Sequence, residues 1–206
     1  MSQTPKKVSA TPRASASRRQ ATKRNQWLNP VIIGSVVLAL VVLLVVYAIW
    51  QQIGARSQAT QPIEGLEQYP NQVQGHAEGT LSYAQTPPVG GVHNPIWQNC
   101  GVYTDPIPNE HAVHSLEHGA VWITYQPDLP AAEVEQLQTL TRQSRYRLLS
   151  PYPGLPSPIV ISAWGYQLKL DKADDPRLQR FIERYEQNPL GPEPGASCSG
   201  GVGQPN

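Results

Sequence analysis

The chain has 206 residues, 39% hydrophobic and 15% charged, with a formal net charge of +1. That length accommodates one membrane anchor and one domain of ordinary size, ~100–200 residues. Lys6, Lys7, Arg13, Arg18, Arg19, Lys23 and Arg24 all precede residue 31, leaving nine Lys/Arg against fifteen Asp/Glu in the remainder. Such a balance argues against nucleic acid as a partner, which needs a concentrated basic surface.

Residues 1–30 set those cations among Ser, Thr, Ala and Gln with no acidic residue. The segment cannot bury a core and is expected to be a disordered basic tail on the cytoplasmic side, lying against anionic head groups. Residues 31–50, VIIGSVVLALVVLLVVYAIW, contain no charge. About 20 apolar residues cross a ~30 Å hydrocarbon layer as a helix. Trp27 on one side, with Tyr47 and Trp50 on the other, fall where aromatic belts anchor a span, and only Arg56 follows it closely. The cation bias predicts a cytoplasmic N-terminus and an extracytoplasmic C-terminal part in a single-pass cell-membrane protein whose first partner is the lipid bilayer. A cleaved signal peptide competes with this reading. Its apolar region is usually ~7–15 residues, shorter than this run, and Ile53-Gly54-Ala55 is a poor cleavage site.

Residues 51–72 read as a polar linker and residues 73–190 as an α+β domain with a mixed or antiparallel sheet and two or three helices. Within it, Thr80–Ala84 and Trp97–Tyr103 are candidate short strands, and Glu110–Glu117 makes about two helical turns that Gly119 stops. Ala120–Tyr125, AVWITY, is β-branched and apolar and predicts a buried strand. Pro130 opens a helix reaching about Ser144, with Asp128 placed to cap it, and Arg147–Leu149 reads as a strand edge. Ile159–Leu170 is one long strand or a hairpin bent at Gly165. Asp175-Pro176 starts the last helix, in which Leu178, Phe181, Ile182 and Tyr185 recur at i, i+3, i+4 and i+7. Residues 191–206 form a Gly/Pro-rich tail.

Chemistry concentrates between His111 and Gly119, HAVHSLEHG, which holds three of the five histidines. On a helix, His114 and His118 leave one face a turn apart with Glu117 beside them. With His93 on the glycine-rich loop Pro87–His93, the candidate metal ligands are His93, His111, His114 and His118, and imidazole donors suit zinc or copper. His114–His118 also spells HxxEH, the inverzincin pattern, in which Glu117 would act as catalytic base and Glu183 or Glu186 would supply the further ligand. Cys100 and Cys198 are the only cysteines. An oxidising compartment favours their pairing as a disulfide; the alternative is a Cys100 thiolate metal ligand.

PPVGGVHNPIWQNCGVY, PIPNEHAVHSLEHGAVWITYQPDLP and the Gly/Pro-rich Cys-bearing end resemble the bacterial domain of unknown function 3105 family. The resemblance spans roughly Gly75 to Ser199. It implies a membrane-anchored or secreted protein whose His-bearing stretches matter, and it supplies no activity. Three function classes follow: a His-rich metal-binding module, a metal-dependent hydrolase, and a non-catalytic envelope domain with a protein partner. Serine-hydrolase and nucleotide-binding classes are unsupported, since the chain has no GxSxG and no glycine-rich phosphate loop.

Overall fold

The computed structural model describes residues 30–206. The expected basic tail, up to residue 29, lies outside the described residues. The chain divides into two compact units, Met1–Gln52 and Ile53–Asn206. Helix α1 (Pro30–Thr60) crosses that division, and its apolar run Ile32–Gln51, 20 residues with a mean hydropathy of 3.1, lies in the first unit. At 1.5 Å per residue this run is long enough to cross a hydrocarbon layer ~30 Å thick. Its large apolar side chains, Leu38, Leu44 and Trp50 among them, are exposed. Because α1 continues to Thr60, the first part of the expected linker is helical.

The second unit is α+β. Its strands are β1 (Glu67–Gln68), β2 (Gly101–Val102), β3 (Val121–Tyr125), β4 (Arg147–Pro151), β5 (Ile159–Ala163) and β6 (Tyr166–Leu170), and its helices are α2 (Asn109–Glu117), α3 (Ala131–Thr141) and α4 (Pro176–Tyr185). The sheet order is β1-β6-β5-β3-β4-β2. Pairs β1/β6, β6/β5 and β5/β3 are antiparallel, whereas β3/β4 and β4/β2 are parallel. The sheet is therefore mixed, with α3 as the crossover between β3 and β4.

Every residue of β3, β4 and β5 is buried, and the two-residue strand period sorts their side chains between two faces. Val121, Ile123, Tyr125, Leu149, Ile159 and Ile161 point to one face. There they join Leu137 of α3 and Leu178, Phe181 and Ile182 of α4. Trp122 and Leu148 point to the other face, where they meet Ala112 and Leu116 of α2 together with Cys198. That second face also carries buried polar groups. Trp122 Nε1 donates to Ser150 Oγ at 3.0 Å, and Gln167 Nε2 donates to Ser162 Oγ at 3.0 Å and to Pro87 O at 2.9 Å.

Several expectations change. No strand forms at Thr80–Ala84; Leu81 N donates instead to the Glu110 carboxylate at 2.8 Å. The strand expected over Trp97–Tyr103 is only β2, with a bridge from Gln98 to Val202. Segment 147–151 is interior, between β3 and β2. α3 has Pro130 itself at the N-cap with no side-chain cap, so Asp128 does not serve. The domain also begins before Val73: Ile63 is buried in the larger core and Glu67–Gln68 pairs with β6, because the β6 edge and the face of α4 need covering. Ile159–Leu170 is a hairpin that turns at Trp164-Gly165, and Asp175 caps α4 through the Arg177 N–H at 2.8 Å.

Cys100 and Cys198 form a disulfide across a sequence separation of 98, which removes Cys100 from the metal ligands. It fixes the C-terminal segment against β2, where Cys100 N also donates to Cys198 O at 2.8 Å and Val202 N to Trp97 O at 2.9 Å. The Gly/Pro-rich tail is thus tied back to the domain. Closing a loop of this length restricts the unfolded chain, so a Cys100→Ser/Cys198→Ser variant should lose about 2–5 kcal/mol of stability, read from urea denaturation at neutral pH.

Candidate metal centre

Helix α2 supplies two of the site's side chains, His114 and Glu117, three residues apart and therefore neighbours on one face. Gly119, at φ +93°, ends the helix; a Cβ there would lie 2.6 Å from Gln187 Nε2. Two loops supply the rest. His76 and His93 form an isolated parallel bridge, in which His93 N donates to Gly75 O at 3.0 Å and Ala77 N to His93 O at 2.8 Å. The His93 loop is in turn fixed to the β5–β6 hairpin, since Gly165 N donates to Val89 O at 2.7 Å and Gln167 holds Pro87 O.

These elements bring one donor atom each from His76, His93, His114 and Glu117 within 4.8 Å of one another. His93, His114 and Glu117 are buried, and His76 alone is exposed, so the group opens to solvent on the His76 side. The four-residue cluster extends to His118, whose ring centroid is 4.5 Å from that of His114. Trp164 meets His93 edge-on at 5.7 Å, and Trp97 lies 5.7 Å from His114 and 5.1 Å from His118.

The nitrogens are oriented by the main chain. Nδ1 of His93 lies 2.7 Å from Gly91 O, that of His114 2.6 Å from Asn94 O, and that of His118 2.6 Å from Ser197 O. A carbonyl only accepts, so each Nδ1 carries a proton, and in the neutral form of each ring the lone pair sits on Nε2. A metal-binding histidine is normally held in this way, with the second ring nitrogen tied to a carbonyl or carboxylate. His93 Nε2 faces Glu117 Oε2 at 2.8 Å, and His76 Nε2 lies 3.9 Å from the same oxygen.

Of the expected ligands, His93 and His114 are in the group. His118 is adjacent but directs Nε2 towards Glu193 at 3.7 Å, and His111 is turned to Ile96 O on the rim of a different cleft. His76, absent from the sequence-based set, is present. Its one sequence signal is that it completes the histidines; the bridge to His93 brings it in. Glu117 sits with His76, His93 and His114, and His118, the second histidine of HxxEH, lies against His114. Glu186 is occupied by Arg147 at 2.7 Å and Glu183 by Gln179 at 2.9 Å, so neither joins the group.

The profile of the family described as protein of unknown function (DUF3105) matches residues 76–200, which is more than half of the chain. The chain belongs to that family, and the match begins at the first histidine of the cluster. No curated protein and no solved structure matches the chain.

Burial pushes the His114 pKa down to about 4, with His118, His93 and His76 adding to the shift and the bond to Asn94 O opposing it. The imidazole is therefore neutral at neutral pH, the form that ligates. An unfolded imidazole titrates near 6.5, so between these values the unfolded chain binds the extra proton. Stability of the ion-free protein should be full above about pH 6.5 and fall as pH drops towards 4, by at most about 1.4 kcal/mol per pH unit from this group. Urea midpoints in chelator at about pH 7.5 and about pH 5 measure this, and His114→Gln should lessen the loss.

Proposed function

We propose that this protein is a membrane-anchored extracytoplasmic metal-binding module that holds one zinc or copper ion between His76, His93, His114 and Glu117. The observation that carries the reading is His93. Both of its ring nitrogens face oxygen acceptors, Gly91 O at 2.7 Å and Glu117 Oε2 at 2.8 Å, and a second imidazole, His76, approaches the same carboxylate oxygen. A cation shared by Glu117 and the imidazole Nε2 atoms satisfies all of them together. Protonating His93 would satisfy only Glu117, leaving the other buried lone pairs unused.

Donor chemistry narrows the ion. Three imidazoles and one carboxylate suit zinc or copper better than calcium or magnesium, which take oxygen ligands. Zinc bonds of ~2.0–2.2 Å in a tetrahedron place donor atoms ~3.3–3.5 Å apart. The His93–Glu117 contact of 2.8 Å would open slightly and the wider pairs would close. Gly91 O and Asn94 O hold the rings in place before the ion arrives, and three of the four donor residues are buried. A hydrolytic role would require Glu117 free to deprotonate a bound water, whereas its carboxylate belongs to the donor group. The apolar run of α1 and the preceding cations support an anchor with the domain outside.

Full-length protein, purified in detergent without affinity histidines or chelator, should carry about one zinc or copper per chain by elemental analysis. His93→Ala and Glu117→Ala should lose it, while His111→Ala should keep it. At ion concentrations about 100 times Kd, binding should raise stability by ~2.7 kcal/mol. Protein that takes up neither ion, or a His93→Ala variant that retains full stoichiometry, would remove the reading.

A further inference from the structure

Trp164, whose indole meets His93, also lines a cleft of about 350 Å³ formed by residues 68–74, the β5–β6 turn and residues 190–192. This volume lies at the lower end of the ~300–1,000 Å³ range of small-molecule sites. The wall is unusual in its chemistry. It presents the amides of Gln68, Asn71, Gln72 and Gln74 beside three aromatic rings, Trp164 among them, and a smaller apolar part that includes Leu190, and no Asp, Glu, Lys, Arg or His lines it.

The floor is built in advance. Tyr69 N donates to Gly165 O at 2.8 Å, and Gln72 Nε2 donates to Tyr69 O at 3.0 Å, which leaves Gln72 Oε1 as an acceptor. Gln72 packs so closely on Gly90 that a Cβ there would lie 2.8 Å from its Cγ. Asn71 holds a left-handed φ of 61°, which Asn tolerates better than most residues. A ligand entering this cleft meets groups that are already ordered, which lowers the entropy lost on binding.

The lining selects its ligand by elimination. An ionic ligand would be desolvated with no counter-charge, and an apolar one would strip water from amides and leave them unpaired. Each amide both donates and accepts, so the matching ligand is neutral and dense in groups that do the same. The aromatic rings ask in addition for an apolar face. Hydroxyl-rich rings with C–H faces meet both requirements. A peptide would need a strand edge longer than the two residues of β1, or an apolar pocket for a side chain, and this wall is more polar than apolar.

We propose that this cleft is a binding site for a neutral saccharide, either free or as a unit of a surface glycan. The assignment stands independently of the metal centre, since none of that centre's donors lines the cleft.

The test uses full-length protein in a detergent without a sugar head group, titrated with N,N′-diacetylchitobiose and with maltotriose by calorimetry and tryptophan fluorescence. At least one sugar should saturate with a Kd on the order of 1 mM. Asn71→Gly/Gln74→Ala removes two exposed amides while keeping a residue that accepts the left-handed φ, and should weaken binding about tenfold with metal uptake unchanged. Trp164→Ala should abolish binding. If only the sugar with acetamido groups saturates, the ligand is an amino-sugar glycan; if both do, the site accepts neutral saccharides generally. No saturation by either sugar up to about 20 mM, affinity unchanged in Asn71→Gly/Gln74→Ala, or saturation only by a neutral peptide such as Gly-Gln-Ala would overturn the proposal.

Discussion

A buried imidazole that donates Nδ1–H to a main-chain carbonyl has one nitrogen left, and that nitrogen needs a partner of its own. In this protein the condition holds for His93, His114 and His118, pinned by Gly91 O, Asn94 O and Ser197 O. Much of the domain's less regular half serves to keep those three carbonyls in place. Asn94 is held to α2 by its N–H on Glu110 O at 3.2 Å, and the neighbouring Gln98 by its N–H on His111 O at 3.0 Å. Ser197 is held through the disulfide one residue away.

The sheet makes this arrangement affordable because its faces differ. One face is apolar and packs on α3 and α4, which provide most of the burial. The other combines Trp122 and Leu148 with Thr124, Ser150, Ser162 and Gln167, and it is covered by α2 and by loops. Buried polar groups need partners, and here they bind the covering loops: Gln167 holds Pro87 and, through Gly165, the hairpin holds Val89. The loop that carries His93 is therefore tied to the hairpin without belonging to a strand.

The C-terminal segment closes the other side. Glu193 N donates to Glu117 O at 3.1 Å, Gly195 N to His118 O at 3.2 Å, and Gln187 Nε2 to the same His118 oxygen at 2.9 Å. The last carbonyls of a helix have no partner within it, and a segment about 70 residues downstream in sequence takes that role at the end of α2. Residues 190–192 then continue into the wall of the amide-lined cleft, and Trp164 stands between that cleft and the imidazoles. The His/Glu cluster and the cleft thus share their scaffold while using different side chains.

Local patterns in the sequence determined what depends on neighbours along the chain. The apolar run of α1, the helix and glycine stop around His114, the buried strand after it, and α4 with its proline and Asp175 cap all follow from periodicity and capping within a dozen residues. The tertiary structure decided what depends on partners far apart. Whether Arg147–Pro151 is an edge or an interior strand depends on β2, a two-residue segment too short to announce itself. That Glu117 meets an imidazole at 2.8 Å depends on His93, 24 positions earlier, and His76 reaches the cluster through a single bridge between two irregular loops. Such pairings leave no period in the sequence, because their geometry is set by packing on a sheet face and not by the repeat of a helix or a strand.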